Sequence, residues 1–282
     1  MNEVSIGIST ENGTEILLPG GLQFSGDIRR RIRVKPITGH ASLGYIEALN
    51  QTTNLPLAVT RLLGEVLEVN GRSIGFRAAE AMCVGDRRYA MLNLGRLLAG
   101  DHVWTHPQCP RCERLFDVGV RRSELPVKQA GDGFPFAEVE LRGSKLRLRV
   151  PTGLDQARSL KWGKTARLDL IRSCLISVSG NKSLDEFVAD LGTEEIEEIE
   201  RILDDVAPDV GTRIATACPY CNAEHEVELS PYELGVDKAH LFREIHTLAY
   251  HYHWSETDVL SLSHERRQRY IGMINRESGM TS

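Results

Sequence analysis

Apolar positions along the chain recur with two periods, one typical of helices and one typical of strands. Between residues 59 and 66 they follow the i, i+3, i+4, i+7 spacing of an amphipathic helix, and a second such stripe covers residues 196–206. Thr193 precedes the second stripe and is expected to be its N-cap. Asp86 is expected to cap a further helix that stops at Gly100. These stripes predict core helices.

Strict alternation of apolar and polar residues marks the predicted strands. It covers Val4 to Ile8, and the apolar residues at 16–18 and then Ile32 and Val34 indicate further strands, broken by Gly20-Gly21. Residues 136–150 alternate on both sides of Gly143, which predicts a β-hairpin with its turn at that glycine. The N-terminal strands could pair with this hairpin.

Two long stretches of the chain match each other at a constant displacement. Residues 109–125 and 218–234 both begin with Cys-Pro-x-Cys, continue with an acidic residue followed by valine, and end in Glu-Leu. The same displacement places residues 61–71 on residues 170–180, and each of these segments is interpreted as a helix ended by a glycine C-cap. The matches indicate an internal duplication.

A Thr-Gly pair precedes the first helix of each repeat, at Thr38-Gly39 and at Thr152-Gly153. The sequence therefore predicts an α+β fold of two pseudo-symmetric repeats, each built from strands, helices and a Cys-Pro-x-Cys knuckle. The first repeat covers residues 1–125 and the second covers residues 126–236. Residues 237–282 are predicted to form a C-terminal helical docking segment.

Turn and cap signals divide this C-terminal segment into three helices. The first begins near Asp237 and breaks at His253-Trp254, Ser255 caps a short second helix, and the last helix starts at Ser263. Tyrosine, tryptophan, histidine and arginine are frequent here, as in protein interfaces. The three helices could form a docking surface or fold back on the body of the protein.

Composition and charge narrow the class of protein. The chain has 282 residues, 41% of them hydrophobic and 26% charged, which is typical of a soluble globular protein. The formal net charge of -5 disfavours a dedicated DNA-binding protein. The chain lacks an apolar run long enough for a membrane helix and a secretory signal at its start, so the expected location is the cytoplasm.

The four paired cysteines carry the clearest chemistry, namely Cys109, Cys112, Cys218 and Cys221. In a reducing compartment two Cys-x-x-Cys pairs indicate metal binding or redox chemistry rather than disulfides. Two knuckles supply the tetrahedral four-sulfur shell that Zn²⁺ prefers, and a closed shell implies a structural ion. We therefore predict one shared, zinc-ribbon-like site with one structural Zn²⁺. Cys83 and Cys174 lie in apolar surroundings and are expected in the core.

Three other interpretations of these residues stay open at this point. His106 and His225 could each complete a separate metal site with the adjacent cysteine pair, although neither position is a histidine in the other repeat. The Cys218–Cys221 pair could be a redox dithiol, which would require a helix directly after it. The histidines between His246 and His264 could hold a metal, although their spacing does not favour it.

Several motifs together resemble a known protein family. They are LLPGG ending at Gly21, the Thr38-Gly39 turn, VGDRRYAMLNL from Val84, the paired cysteine knuckles, and LAYHYHWSETDVLSL from Leu248 followed by RRQRYI. They are similar to baseplate and baseplate-assembly proteins of contractile, T-even-like phage tails. Related proteins occur in phage-derived contractile injection systems.

The resemblance implies a non-enzymatic structural or assembly protein. Its partners would be other baseplate, hub or spike proteins, without a small-molecule substrate, direct nucleic-acid binding or membrane insertion. It would assemble in the bacterial host cytoplasm and could stay in the virion tail or injection-system baseplate. The residues predicted to contact partners lie in the C-terminal segment: Tyr252, Trp254, Ser255, Glu256, Arg266, Arg267 and Tyr270. The alternative function is a zinc-ribbon adaptor for nucleic acid or the transcription machinery.

Overall fold

A computed structural model describes residues 13–24, 26–51, 54–179, 183–277 and 279. The predicted strand at Val4 to Ile8 and the predicted C-cap at Gly180 lie outside the described residues. The fold is mixed α and β, as predicted. The elements of residues 13–128 are β1 (Thr14–Phe24), β2 (Asp27–Val34), α1 (Gly39–Gln51), α2 (Leu55–Val66), β3 (Leu67–Val69), β4 (Arg72–Ser73), α3 (Gly75–Ala81), α4 (Val84–Ala99), β5 (His102–Thr105), β6 (Val118–Arg121), a 3-10 turn (Arg122–Glu124) and β7 (Val127–Lys128).

The remaining elements continue the alternation of strands and helices and end in three helices. They are β8 (Phe136–Leu141), β9 (Ser144–Arg149), α5 (Gly153–Ser159), α6 (Ala166–Cys174), β10 (Leu175–Val178), α7 (Leu184–Ala189), α8 (Thr193–Val206), β11 (Asp209–Val210), β12 (Arg213–Ala217), β13 (Glu224–Glu228), α9 (Lys238–Tyr252), α10 (Glu256–Ser261) and α11 (His264–Glu277). Among these described helices, none combines the length and the apolar character needed to cross a bilayer.

Two antiparallel sheets organise the body, one for each predicted repeat. The first has the strand order β1-β2-β3-β4, and the second has the order β10-β9-β8. The N-terminal strands therefore pair with the strand that follows α2, and the proposed pairing with the β8–β9 hairpin is wrong. The hairpin itself is confirmed, because Leu141 pairs with Ser144 around Arg142 and Gly143, which both have positive φ.

Gly71 does not end its helix as predicted, whereas Gly100 is the C-cap of α4, as predicted. Helix α2 stops at Val66 and runs directly into β3, so Gly71 lies in the turn between β3 and β4, with φ of 75°. The apolar run at residues 62–69 fits a helix and a strand equally well, which is why periodicity alone misplaced the boundary. Helix α6 likewise passes straight into β10.

Asp86 contacts β1 instead of opening its own helix. Cys83 is the N-cap of α4, and its sulfur accepts the N–H of Asp86. The buried Asp86 carboxylate accepts the backbone N–H groups of Gly20 and Gly21, both at 2.8 Å. Burial raises the pKa of Asp86, and these two N–H groups partly oppose that rise. The irregular register between Leu17 and Leu22 is therefore held by a side chain from α4.

Helix α8 also begins one residue earlier than predicted, because its N-cap is Gly192 and Thr193 is its first helical residue.

Two apolar cores fill the body. The first joins β1–β3 and α1–α4 and also takes in Val210, Leu229 and Leu234 from the later part of the chain. The second lies among β8–β10 and α6–α8 and includes Cys83 from the first repeat. Segments of each predicted repeat thus complete the core of the other.

The three C-terminal helices begin as the sequence predicted. The Asp237 carboxylate caps α9, and Ser255 caps α10 with a reciprocal bond to Asp258. The Ser263 hydroxyl accepts the N–H of Arg266 at the start of α11. Their own small core contains Leu241, Ile245, Leu248, Val259, Leu260 and Ile274, with Leu43 of α1 packed against it from the body.

Candidate metal centre

The first cysteine knuckle extends the two-stranded ladder of β5 and β6. Beyond that ladder, Cys109 donates its N–H to the carbonyl of Arg114 at 2.9 Å, and its own carbonyl accepts the N–H of Glu113 at 2.9 Å. Glu113 has φ of 58°, a left-handed conformation that closes the turn. The turn brings the Cys109 and Cys112 side chains to the same side of the ribbon.

The second knuckle repeats this geometry between β12 and β13. Cys218 donates to the carbonyl of Ala223 at 2.9 Å and accepts the N–H of Asn222 at 2.8 Å. Asn222 has φ of 55° and occupies the position that Glu113 has in the first knuckle. Identical hydrogen bonding in the two turns follows from their shared Cys-Pro-x-Cys sequence.

The four sulfur atoms meet although more than a hundred residues separate the two pairs. Cys109 Sγ lies 3.6 Å from Cys221 Sγ, and Cys112 Sγ lies 3.7 Å from Cys218 Sγ. All four sulfurs lie within 4.8 Å of one another. A tetrahedral ion with metal–sulfur bonds of about 2.3 Å places its ligands about 3.8 Å apart. The four cysteines can therefore bind one metal ion, and these distances are too long for disulfides.

The site is shielded unevenly from solvent. Cys109 and Cys218 are fully buried and pack with Phe116, whereas Cys112 and Cys221 are half-buried. Backbone N–H groups of Cys112 and Arg111 point at the Cys109 sulfur and lower the pKa of this thiol to about 6. Against the hydrogen bond from the Ala223 N–H, desolvation and the other three thiols raise the pKa of Cys221 to about 11. The thiolate, which is the form that binds metal, is therefore favoured at Cys109 and disfavoured at Cys221.

Neither neighbouring histidine takes part in the cluster. His106 Nδ1 lies 2.6 Å from the exposed Asp117 carboxylate, and the His225 ring packs edge-on against Phe116 at 5.9 Å between centroids. The convergence of the four sulfurs does not support two separate cysteine–histidine sites. The histidines between His246 and His264 form no metal-binding group within the part of the chain that the structure describes.

The redox interpretation of the second pair lacks the helix that it requires. A redox dithiol of that type opens a helix, whose dipole lowers the pKa of the first thiol. Here Cys218 and Cys221 lie in a turn that leads into strand β13. Both cysteine pairs thus belong to β-ribbons, the usual setting of a structural four-sulfur site.

The predicted partner-contacting residues comprise three half-buried aromatic residues, one buried arginine and three exposed residues. Tyr252 stacks on Trp254 with ring centroids 4.8 Å apart, and Tyr270 packs against both rings. Arg267 is only 1% exposed and pairs with the buried Glu244 at 2.7 Å, so in this state it stabilises the helices internally.

Ser255 and Glu256 lie at the exposed start of α10, and Arg266 is exposed on α11. Partner binding by the predicted residues of the C-terminal segment remains a prediction, and its exposed members are the ones that a partner could reach.

Sequence analysis did not identify an aromatic stripe on the outer face of α9. Phe242, His246 and Tyr250 are exposed at i, i+4 and i+8, and Tyr250 is 70% exposed. The His246 and Tyr250 rings stack 6.3 Å apart, and the ammonium of Lys238 lies 5.6 Å from the Phe242 ring centroid. Helical spacing was visible in the sequence, but only the packing of α9 shows which of its faces is exposed.

These features define a mixed α/β protein whose two β-ribbons meet at a four-cysteine cluster. The family model described as T4 bacteriophage base plate protein matches residues 18–233, and the chain therefore belongs to that family. A second model, described as a family of unknown function (DUF6760), matches residues 234–279. Neither the curated proteins nor the solved structures contain a match to the chain.

Proposed function

We propose that the protein is a non-enzymatic structural or assembly component of a contractile tail baseplate, in a phage or a phage-derived injection system. The observation that carries this proposal is the match of residues 18–233 to the baseplate family. Its partners are other baseplate, hub or spike proteins, and it assembles with them in the cytoplasm of the bacterial host. The exposed residues of the C-terminal helices and the aromatic stripe of α9 are the proposed contact surfaces.

Co-expression with neighbouring tail proteins tests this assignment. The chain should co-purify with baseplate or hub proteins encoded beside it. Replacement of Phe242 and Tyr250 by alanine should weaken that complex, because exposed aromatic residues are frequent anchors of protein interfaces. Alanine at Leu49, an exposed apolar residue on α1 of the body, is the control and should leave the complex intact. A chain that binds none of these proteins would contradict the proposal.

Within this function, the metal is proposed to be one structural Zn²⁺ held by the four cysteines. The sulfur separations near 3.7 Å support zinc–thiolate geometry, and a four-sulfur shell leaves no coordination position for a substrate. Metal analysis of the purified protein should find about one zinc per chain. Cys109→Ser and Cys218→Ser should each lose it, whereas His106→Ala should retain it. Two zincs per chain, with one lost in each cysteine variant, would refute the shared site.

We further propose that the two halves arose by duplication and that the ion joins them. In support, the two sheets have the same order of elements. In each, a hairpin (β1–β2 or β8–β9) pairs with the strand that directly follows the second helix of that half, which is β3 after α2 and β10 after α6. The repeat alignment places Cys109 on Cys218 and Cys112 on Cys221. It therefore maps the contact between Cys109 and Cys221 onto the contact between Cys218 and Cys112. An ion on a local pseudo-twofold axis accounts for this symmetry.

The alternative role as a nucleic-acid adaptor receives no support from the second ribbon. Its outer face carries Glu224, Glu226 and Glu228 at alternating, exposed positions of β13. Three carboxylates in a row repel a phosphate backbone. Salt-dependent binding of DNA or RNA by the purified chain would reverse this judgement.

A further inference from the structure

The C-terminal unit, defined as α9–α11 (residues 238–277), docks on the body through a short backbone bridge. Ser263, between α10 and α11, pairs with Thr38. The N–H of Gly39 donates to the carbonyl of Leu262 at 3.1 Å, and the N–H of His264 donates to the carbonyl of Ile37 at 2.8 Å. The Thr38-Gly39 turn is thus the receiving site for the connector between two helices.

The same docking geometry occurs a second time inside the body. Cys83, in the connector between α3 and α4, pairs with Thr152. The N–H of Gly153 donates to the carbonyl of Met82 at 3.1 Å, and the N–H of Val84 donates to the carbonyl of Pro151 at 3.0 Å. Each donor and acceptor therefore has its counterpart at the C-terminal bridge.

Both receiving turns require glycine because the docked helix pair approaches them closely. A Cβ at Gly39 would lie 2.9 Å from the Cα of Leu260, and a Cβ at Gly153 would lie 2.4 Å from the guanidinium of Arg87. Any larger side chain at these positions would push the docked helices away. Gly44, also in α1, has no atom within 4 Å of the corresponding Cβ position and offers a matched control.

Within the C-terminal unit, α10 and α11 match α3 and α4 around the connector between the two helices. Helices α3 and α10 end, and α4 and α11 begin, at residues that are 180 apart. At the same displacement, Ser263 replaces Cys83 as the N-cap and the buried Arg267 replaces the buried Arg87. The corresponding pair in the second repeat, α7–α8, has Gly192 and Ile196 at these two positions. The C-terminal unit therefore carries the docking features that α7–α8 lacks.

The C-terminal unit is also self-contained. Its apolar core lies among its own helices, with Leu43 packed against it from α1, and the Glu244–Arg267 ion pair is internal to it. A separate family model matches residues 234–279, which include the unit. The unit is therefore held together chiefly by its own contacts, and Leu43 and the Lys238–Glu47 ion pair join it to α1 of the body.

A short hinge connects this unit to the body. Leu234 is buried in the first core, and α9 begins at Lys238. Between them Gly235 has φ of 73°, and a Cβ there would lie 2.6 Å from the Cβ of Ala99. Short, conformationally restricted hinges favour exchange of identical elements between copies, because the exchanged contacts are the same and only the hinge changes.

We propose that the Thr38-Gly39 turn accepts the C-terminal unit of a second copy of this chain, so that copies join by exchanging this unit. The turn recognises a helix–connector–helix unit through backbone hydrogen bonds and close approach, and these contacts do not depend on which copy supplies the unit. The inference does not depend on the baseplate assignment or on the metal.

Mixing two full-length variants tests the exchange directly. Gly39→Leu blocks the receiving turn but leaves the unit intact. His264→Pro removes the docking N–H but suits the first position of α11, where proline is tolerated. Each variant alone should be monomeric, and circular dichroism should verify that it is folded. Their mixture should form a one-to-one dimer, seen by light scattering as a doubling of mass, because the unit of one variant docks on the turn of the other.

Two controls decide the interpretation of that dimer. Gly44→Leu, whose receiving turn and unit are both intact, should dimerise by itself as the unsubstituted chain does. Adding Gly39→Leu to the His264→Pro chain should abolish the dimer. A folded mixture that stays monomeric overturns the proposal, and so does a dimer that persists when both chains carry Gly39→Leu.

Discussion

Removing the metal should unfold the cysteine ends of the two ribbons while the two body cores stay folded. The cysteine cluster lies apart from both cores, and its buried members are Cys109, Cys218 and Phe116. The other ends of the ribbons pack against the first core through Val103, Val120 and Ile214. Residues 106–117 and 217–225 therefore depend on the ion, whereas α4 and the β8–β9 hairpin do not. We expect a strong chelator or the Cys109→Ser substitution to produce this local change.

The magnitude follows from what holds the ribbons together. Burial of one phenylalanine such as Phe116 contributes about 1.5–3 kcal/mol. A structural zinc ion in a small peptide contributes about 10–16 kcal/mol of binding free energy at neutral pH. An ion at this site would therefore outweigh the apolar contribution several-fold, and the cysteine ends of the ribbons should not remain ordered on side-chain packing alone. The body cores need no such contribution because each contains more than ten buried apolar residues.

Hydrogen exchange with and without chelator measures this prediction. Amides of the two knuckles, namely those of Cys109, Glu113, Cys218 and Asn222, should lose protection, while those of α4 should keep theirs. His106→Ala should behave like the unsubstituted protein because this side chain pairs with Asp117 outside the cluster. The reasoning fails if the chelator leaves ribbon protection unchanged, or if both cores lose protection together with the ribbons.

Three further predictions concern packing and protonation. Gly153→Ala should lower the free energy of unfolding by about 1–3 kcal/mol, as expected for an overpacked site, because its methyl group meets the buried Arg87; Gly44→Ala, in open helical space, should raise it by about 0.5–1 kcal/mol, and urea denaturation compares the two. Asp155 is 1% exposed, and its arginine partner and the Thr152 N–H lower its pKa against the effect of burial. Asp155→Asn should therefore lower the free energy of unfolding by about 3 kcal/mol at neutral pH. In acid titrations this difference should shrink as pH falls through the lowered pKa. Burial lowers the pKa of His264, so thermal stability should fall as pH drops below about 6.5, and His264→Gln should reduce that dependence, which calorimetry across this range can check.

Local sequence signals predicted the parts of the fold that are set by neighbouring residues. Each knuckle closes through bonds within a few residues of its cysteines, so Cys-Pro-x-Cys predicted the turn wherever the remainder of the chain runs. The Arg142-Gly143 turn and the serine cap of α10 were predicted for the same reason. The matching stretches of the two halves then indicated that the four sulfurs would share one site, which the sulfur distances support.

Charged residues illustrate what the pattern could not reveal. Arg266-Arg267 has the appearance of a solvated pair at a helix end, but only Arg266 is exposed, because Glu244 of α9 neutralises Arg267 in the interior. Asp86 has the appearance of a helix cap, but its carboxylate binds two backbone N–H groups of β1. In both cases the partner lies far along the chain, and its position depends on how the helices and sheets pack.

The sequence by itself determined the two knuckles, the hairpin, the C-terminal helices and the four ligands that can meet at one ion, since each depends on short-range geometry or on internal repetition. Only the tertiary structure decided which strands pair, where α2 changes into β3, and how the connector at Ser263 docks on Thr38-Gly39. Those features depend on backbone groups that every residue carries and on space that only glycine leaves open. Which groups become their partners depends on packing between distant segments, and side-chain periodicity does not predict that packing.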